Sequence, residues 1–404
     1  MADLFVCGGM LDGLNNNLVE HVAILCDQGI IKKIYHKQEL DQIKQISAHR
    51  IDASDFTAIP GLIDSHVHLA GNITEQVLFG EEDPSFATVQ AIKNGRSVLS
   101  GGITTVRDCG APGKSMMAMR TAVRNGIIDG PDIFTSGPPI TAKGGHLPNI
   151  SITIEGEQEA RKAVHALSEM NVDFIKAMVT GGGGTPGTNI FISHFSQSEL
   201  TALCDEAHAL GLKVSAHLHG TEGIRMAVDA GVDFLEHTSW LKPGKIELDE
   251  KILNKIIETN TCVSITIGVL NRRPISKLRP ELEIVWNDYR KKFLGIVKEM
   301  REKGVKLAVG TDSGTQNTPL DVPYYAIEDL VFGAEYSIAD ALHALTSTNA
   351  QSLGYTDRGR LSEGKRADIA FIKGNPLLDI NSFRHVMMTV VRGKIVYEYK
   401  APGQ

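Results

Sequence analysis

Short apolar runs alternate with amphipathic helical patterns through the middle of the chain, from about residue 58 to residue 359. Segments such as 199–211 and 248–260 carry apolar residues at three- and four-residue spacing and close with glycine or asparagine, as helices do. Strands and helices in alternation indicate a parallel sheet. Eight candidate strands end near Leu69, Cys109, Gly137, Val179, Leu218, Thr238, Ile267 and Ser313. The pattern therefore predicts a closed (β/α)8 TIM barrel, whose active site would lie at the C-terminal ends of the strands.

The two ends of the chain have a different character. Residues 1–57 and 360–404 read as short strands of alternating apolar and polar residues, as in "LFVCGGMLDG" and "VMMTVVRGKIVY". Similar segments on both sides of the barrel predict one small β-sandwich domain built from the two termini. The fold class expected is therefore α/β, with residues 58–359 forming the barrel.

Composition limits the classes of partner and compartment. A formal net charge of −7 over 404 residues indicates neither a nucleic-acid footprint nor a basic membrane patch. The five cysteines are scattered without paired short spacing, which argues against disulfides and a cysteine zinc site and fits a reducing compartment. The first residues lack the basic and apolar regions of a signal peptide, and no long apolar run occurs. We therefore expect a cytoplasmic protein that binds no nucleic acid and no membrane.

Histidines and an aspartate lie at the ends of four predicted strands. His66 and His68 end the first strand two residues apart, so their side chains share one face. The fifth, sixth and eighth strands end at His217, His237 and Asp312. Imidazole nitrogen and carboxylate oxygen suit zinc or a similar divalent ion. Packed polar residues are the competing interpretation, but convergence of all five on one end of a barrel favours a hydrolytic metal site.

A lysine interrupts the apolar run of the predicted fourth strand, "VDFIKAMV" at residues 172–179. A buried ammonium group is expensive, and lysine is among the residues least often found fully inside a protein. One interpretation is that Lys176 extends its amine to solvent or pairs with an acid. The other is a chemical role for Lys176 in the predicted site.

These motifs resemble those of the amidohydrolase superfamily, in the branch related to imidazolonepropionase, prolidase and metal-dependent Xaa-Pro dipeptidases and carboxypeptidases. The similarity extends over nearly the whole chain and includes "PGLIDSHVHL", "GITTVRDCG", "DFIKAMVTGGGG", "SAHLHG", "EHTSW", "GTDSG" and "GRLSEGKRADIAFIKGNP". In binuclear members the lysine at the end of the fourth strand is carboxylated by CO₂ and bridges two metals. The resemblance therefore implies N6-carboxylation of Lys176, which requires the neutral amine that burial and nearby metal charge favour.

The resemblance also implies a ligand set for two divalent metal ions, expected to be zinc. The implied ligands are His66, His68, Lys176, His217, His237 and Asp312. The first two histidines and the aspartate would hold the more buried metal, and the other two histidines the more exposed one, with the lysine and a hydroxide between them. Asp312 would also be catalytic, taking a proton from the attacking water and passing it to the leaving amine.

Four further residues are predicted to bind substrate, namely His146 and Trp240 from the resemblance and His219 and Arg272 from their positions after predicted strands. His146 follows the third strand and matches a family histidine that contacts the substrate; a surface-loop histidine is the alternative. Trp240 stands where relatives often carry tyrosine, and its indole offers an N–H donor but no hydroxyl. Either neighbour in "NRRP", Arg272 or Arg273, or else Arg225, would clamp a substrate carboxylate.

The function predicted is a binuclear metal-dependent amidohydrolase, prolidase- or carboxypeptidase-like, that cleaves a small N-acyl amino acid or dipeptide through a metal-bridging hydroxide. Homo-oligomers are also expected from the resemblance. Aryl-amide, carbamate or phosphotriester hydrolysis stays open. A cyclic-amide hydrolase or a deaminase is the second hypothesis, although mononuclear enzymes of those types generally lack the bridging lysine. A barrel without catalysis is the third, and the complete ligand set argues against it.

Overall fold

The computed structural model describes residues 2–71, 83–185, 187–268, 283–315 and 318–400, with the helical backbone alone for residues 283–287. Its strands are β1 (Asp3–Met10), β2 (Val19–Asp27), β3 (Ile30–Tyr35), β4 (His49–Pro60), β5 (Leu62–Val67), β6 (Ile103–Asp108), β7 (Asp132–Thr135), β8 (Ile140–Ala142), β9 (Ile152–Ile154), β10 (Ile175–Met178), β11 (Val214–Gly220), β12 (Phe234–Lys242), β13 (Lys245–Ile246), β14 (Cys262–Thr266), β15 (Leu307–Gly310), β16 (Ile369–Lys373), β17 (Val386–Val391) and β18 (Lys394–Glu398). Its α-helices are α1 (Pro84–Ser100), α2 (Ser115–Arg124), α3 (Glu157–Glu169), α4 (Gln197–Ala209), α5 (Thr221–Asp229), α6 (Glu250–Glu258), α7 (Glu283–Glu302), α8 (Tyr324–Gly333), α9 (Ile338–His343) and α10 (Asn349–Leu353). Short 3₁₀ turns cover Lys37–Glu39, Gln42–Gln45 and Ile380–Arg384, and a π-helical turn covers Ala344–Thr348.

Strands from both chain ends form one mixed sheet in the order β18-β17-β16-β4-β1-β2-β3. β4 lies parallel to β1 and antiparallel to β16, so the N- and C-terminal segments are joined by a continuous ladder. Alternate side chains from both ends fill its core, where the rings of Phe5 and Phe371 lie 5.3 Å apart. The two termini thus build one β-structure, as the sequence predicts. The boundaries at residues 57 and 360 stay a prediction. β4 runs unbroken across the first of them, to Pro60.

Two groups of parallel strands in the described residues form the barrel, in the orders β5-β6-β7 and β9-β8-β10-β11-β12-β14-β15. Backbone hydrogen bonds join the two groups of strands. Asp312 N–H donates to the carbonyl of His66 at 2.8 Å, and Asp173 N–H donates to that of Thr135 at 2.8 Å. The predicted (β/α)8 barrel is confirmed, and its strands end within three residues of the expected positions except β12, which continues past Thr238 to Lys242.

Capping side chains mark the N-terminal ends of α4 and α6. Ser196 and Glu199 form a capping box at the start of α4, and Asp249 accepts two backbone N–H groups at the start of α6. In α6 the buried residues Ile252 and Ile256 repeat at the spacing that predicts the helix. None of the helices within the described ranges is long and apolar enough to cross a membrane.

An arginine cluster at the N-terminal end of the barrel ties it to the terminal sheet. Asp132, at the start of β7, is 3% exposed and accepts hydrogen bonds from Arg358 at 2.7 Å, Arg366 at 2.6 Å and Arg392 at 3.3 Å. Burial alone would raise the pKa of Asp132, but the arginine charges and their hydrogen bonds lower it to about 2. A lowered pKa means that this carboxylate stabilises the fold above the unfolded-state pKa of about 3.9.

We expect Asp132→Asn to lower the free energy of unfolding at pH 7 by about 2 kcal/mol, because three guanidinium groups lose their shared anion. The difference from wild type should shrink as the pH falls from about 4 to about 2, where the wild-type carboxylate is itself protonated. Urea unfolding at a series of pH values measures both effects. Asp129→Asn is the matched control, since Asp129 pairs with Lys394 at 2.6 Å where both side chains are about half exposed or more. Equal stability of the two variants at pH 7 would contradict the expectation.

Candidate active site

Three predicted metal ligands from the first and last barrel strands lie together. His66 and His68 stand at the end of β5, and Asp312 follows β15. Nε2 of His68 is 3.3 Å from Oδ1 of Asp312, and Nε2 of His66 is 3.5 Å from the same oxygen. One ligand atom from each of the three lies within 4.8 Å of the others. The geometry allows a single divalent ion to contact all three side chains.

The histidines of the fifth and sixth barrel strands lie against this group. The rings of His217 and His237 are 4.5 Å apart, and that of His237 is 4.8 Å from the ring of His66. His237 directs Nδ1 to the hydroxyl of Thr266 at 2.8 Å, which leaves Nε2 for another partner. Nε2 of both His217 and His237 is buried and has no hydrogen-bond partner in the described part of the chain. These two nitrogen atoms are therefore available to bind a metal ion.

Lys176 lies fully buried in β10, at the centre of the same cluster. It lies close enough that a positive charge on it would lower the pKa values of His66, His217 and His237. Nζ has no hydrogen-bond partner among the described residues, and neither a path to solvent nor a paired acid is seen for it there. Within the described residues, the interpretation of Lys176 as a solvated lysine or one hydrogen-bonded to an acid is therefore not supported.

Most imidazoles of the cluster are neutral at pH 7, which is the form that binds metal. Burial, followed by the charge of Lys176, lowers the pKa of His66 to about 4. Burial and the neighbouring histidines hold the pKa values of His217 and His237 well below the usual range. For His68, burial acts downward, but the hydrogen bond with Asp312 and its charge raise the pKa overall.

Two of the ligand positions have a left-handed backbone. His237 has a φ of 61° and Asp312 a φ of 56°, and Thr238 and Trp240 also have positive φ values of 48° and 53°. A residue other than glycine in this region costs on the order of 1 kcal/mol or more. Such strain concentrates where side chains leave regular strand geometry, and here it redirects the side chains at the strand ends.

The predicted substrate-binding residues divide into those that reach the cluster and those that do not. The ring of His146 is buried and lies 4.7 Å from that of His217, so the surface-loop alternative is wrong. His219 lies 4.6 Å from His217, ring to ring, and its Nδ1 is 2.8 Å from the Ser239 hydroxyl. Trp240 is fully buried, and its indole N–H has no partner in the described ranges.

Only one of the three arginines considered as a carboxylate clamp lies in the described part of the chain. Arg272 and Arg273 lie outside the described residues. Arg225 lies on α5, half-exposed, and forms ion pairs with Glu222 and Asp229 of the same helix. Arg225 is thus paired with carboxylates of its own helix, and a role as a carboxylate clamp stays a prediction.

The glycine run after β10 supports His146. Thr185, at the end of the run, bonds through its hydroxyl to Nδ1 of His146 at 2.7 Å and accepts the N–H of Leu147 at 3.0 Å. A Cβ on Gly182 would overlap Nε2 and Cε1 of the same ring, whereas one on Gly183 would meet nothing within 4 Å. The absent side chain of Gly182 thus leaves the room in which the imidazole lies.

Comparison with known proteins decides the family. The profile of the Amidohydrolase family matches residues 57–396 of the chain. The chain belongs to the amidohydrolase family. It is a hydrolytic enzyme that acts on carbon–nitrogen bonds, in a family that generally uses divalent metal ions.

Individual relatives are similar over most of the chain. The ochratoxinase of Aspergillus niger is 26% identical over 390 residues, which cover 88% of this chain and 78% of the ochratoxinase. The imidazolonepropionase of Clostridium tetani is 22% identical over 437 aligned residues, covering 95% of this chain and 92% of that enzyme. A solved structure of a Xaa-Pro dipeptidase with methionine bound in the active site superposes with a TM-score of 0.84 at 26% identity, covering 99% of this chain and 100% of that one.

The residues of this amidohydrolase fit a divalent metal. The donor set combines neutral imidazoles, a carboxylate and a buried amine, and several of its atoms have no other partner among the described residues.

Sequence reasoning missed a second layer of buried polar residues in this amidohydrolase. Glu236 is fully buried and contacts Arg107, Ser215 and His66. Burial would raise the pKa of Glu236, but the charge of Arg107 and the contact with His66 hold it well below the usual range. The signal that could have found it is the one that singled out Lys176: Arg107 and Glu236 are charged residues inside buried strands.

Proposed function

We propose that this amidohydrolase cleaves the amide bond of small N-acyl amino acids or dipeptides next to the C-terminal residue, with two zinc ions and a carboxylated Lys176. The observation that carries the proposal is the amine of Lys176. It is fully buried, has no partner in the described residues and lies among neutral imidazoles. A carbamate at this position would turn a costly buried cation into an anion between two cations.

The metal ligands proposed are His66, His68, Lys176, His217, His237 and Asp312. The first two histidines and the aspartate would hold one ion, the latter two histidines would hold the other, and the carboxylated lysine would contribute a ligand to both. When bound there, divalent ions lower the pKa of water and polarise a carbonyl oxygen.

Asp312 is proposed to move the proton of the reaction. Its Oδ1 lies 3.3 Å from Nε2 of His68 and 3.5 Å from Nε2 of His66, so the carboxylate borders the space where water and substrate would meet. There it takes a proton from the attacking water and delivers it to the nitrogen of the leaving amine.

His146 is proposed to orient the substrate carbonyl or carboxylate. Burial, with the charges of nearby groups, lowers the pKa of His146 to about 3, so the ring is neutral and offers a hydrogen bond, not a charge. Thr185 fixes its orientation. The related Xaa-Pro dipeptidase holds a free amino acid, methionine, in its active site. This likeness supports an amino acid as the leaving group here.

A matched pair of substrates tests the proposal. The metal-loaded enzyme is offered N-acyl amino acids and dipeptides, the same compounds with the terminal carboxylate converted to an amide, and a cyclic amide. Release of the amino acid from the free-carboxylate compounds, at least about tenfold faster than from their amides, is expected, because a charge-assisted hydrogen bond to the carboxylate is lost. Turnover of the cyclic amide alone would contradict the proposal.

Gly182→Ala is expected to lower kcat/KM by about tenfold to a hundredfold, because the new Cβ displaces the ring of His146 from its oriented position. Gly183→Ala is the control, since its Cβ would meet nothing within 4 Å. Steady-state kinetics of both variants, with metal content measured alongside, separate a loss of orientation from a loss of metal. Equal kinetics of the two variants would mean that His146 does not touch the reacting substrate.

A further inference from the structure

A buried carboxylate lies behind the proposed metal ligands. Glu236, in β12, is fully buried, and its Oε2 is 2.7 Å from Nδ1 of His66. Its Oε1 accepts hydrogen bonds from Nη2 of Arg107 at 2.5 Å and from the hydroxyl of Ser215 at 2.6 Å. The four residues come from four different barrel strands, β5, β6, β11 and β12. Their contacts therefore depend on closure of the barrel.

Glu236 and His237 are adjacent in the chain, yet both contact His66. Neighbouring residues of a regular strand point to opposite faces. The left-handed backbone of His237, with a φ of 61°, breaks that alternation within β12. As a result Glu236 forms a hydrogen bond with one edge of the His66 ring, while the ring of His237 lies 4.8 Å from it. The local strain brings a ligand and its support to the same histidine.

Arg107 gives the carboxylate a fixed countercharge. Its guanidinium group lies over the ring of Phe174, 4.6 Å from the centroid, and over the ring of Phe234, 4.4 Å from the centroid. Contacts with both rings leave the guanidinium little freedom to move. A buried acid that is paired, hydrogen-bonded on both oxygens and held rigidly can in turn hold the imidazole that it contacts.

We propose that Glu236 is a positioning residue that keeps the His66 imidazole in the tautomer with its proton on Nδ1. Nδ1–H donates to Glu236, so the lone pair of Nε2 faces Asp312 and the metal. Arg107 and Ser215 keep the carboxylate in place. The inference rests on the proposed function, because it assumes that His66 binds a metal ion, but it makes no reference to the substrate.

The wild-type enzyme, stripped of metal, provides the first measurement. Nitrogen-15 NMR of labelled histidine, with the His66 signals assigned by comparison with His66→Ala, reports which nitrogen carries the proton. A protonated Nδ1 is expected. A proton on Nε2, or fast exchange between the two tautomers, would overturn the proposal without any need for a variant of Glu236.

Glu236→Gln provides the second measurement. The amide can present either an oxygen or an N–H to His66, so the tautomer is no longer fixed, and zinc affinity measured by competition with a chelator should fall about tenfold to a hundredfold. Ser215→Ala is the substitute variant if Glu236→Gln does not fold. It keeps the charge pair of Arg107 and Glu236 and removes one hydrogen bond, so a smaller fall in zinc affinity is expected. Unchanged zinc affinity and tautomer in the folded variants would overturn the proposal.

Asp132→Asn is the matched control, since it also removes a buried carboxylate paired with arginine, at the opposite end of the barrel. It should lower stability and leave both zinc affinity and the His66 tautomer unchanged. An equal loss of zinc affinity in Asp132→Asn and Glu236→Gln would mean that Glu236 acts only through stability. The zinc and NMR results do not depend on amide hydrolysis, so failure of the proposed substrate class would be seen separately.

Discussion

Lys176→Met is expected to stabilise the metal-free protein and to remove metal-dependent hydrolysis. The buried amine has no partner among the described residues, so a methionine of similar length relieves an unsatisfied polar group. The free energy of unfolding should rise by about 1 kcal/mol or more in the metal-free state. Hydrolysis should fall by more than about a hundredfold, the cost of changing a residue that supports a metal ligand, since the proposed bridging group itself would be lost.

The measurements for Lys176→Met are metal content per chain, kcat/KM and urea unfolding in the presence of a chelator. Lys213→Met is the matched control, because Lys213 is exposed just before β11 and its amine lies 5.4 Å from the ring centroid of Phe234, away from the ligands. The control should keep wild-type metal content and activity. Full metal content and activity in Lys176→Met would show that Lys176 has no part in the site.

Asp312→Asn is expected to lower kcat by about a hundredfold to ten-thousandfold while the protein stays folded, because the amide cannot take up the proton that the carboxylate moves. Asparagine tolerates the left-handed backbone observed at this position, where φ is 56°. Asp312→Ala should be equally inactive and less stable by about 1 kcal/mol, because alanine does not tolerate that backbone well.

Kinetics and urea unfolding of the two Asp312 variants separate chemistry from backbone strain. The expected pattern is a shared loss of kcat with a difference in stability alone. Activity of Asp312→Asn within about threefold of wild type would contradict the assignment of the proton to Asp312, since a base of this kind contributes far more.

The positions of the proposed ligands could be predicted from the sequence because, in a barrel of this kind, the order of strands and helices determines where each strand ends. Strands that alternate with helices must run parallel, and their C-terminal ends meet at one face. His66, His217 and His237 end such strands, and the structure brings their rings together. Lys176 was conspicuous for a physical reason as well, since few residues are as costly inside an apolar strand.

The support around these residues could not be predicted in the same way. Arg107 and Glu236 are 129 positions apart, and Thr185 is 39 positions from His146, so neither contact has a local signature. Predicting from periodicity which side chains share a face also assumes a regular strand, and the backbone at His237 is left-handed, not extended. Arg225 is different, because Glu222 and Asp229 lie three and four residues from it, so its ion pairs on a helix could have been predicted from the sequence. The domain boundaries and the expected homo-oligomer stay predictions.

Metal titration of the stripped wild-type enzyme tests the central claim most directly. The protein is freed of metal with a chelator, exchanged into bicarbonate buffer and assayed on an N-acyl amino acid while zinc is added. Hydrolysis should be absent at the start and should reach its plateau at two zinc ions per chain. Full activity without metal would contradict a metal-dependent site, and a plateau at one ion per chain would contradict the binuclear centre bridged by Lys176.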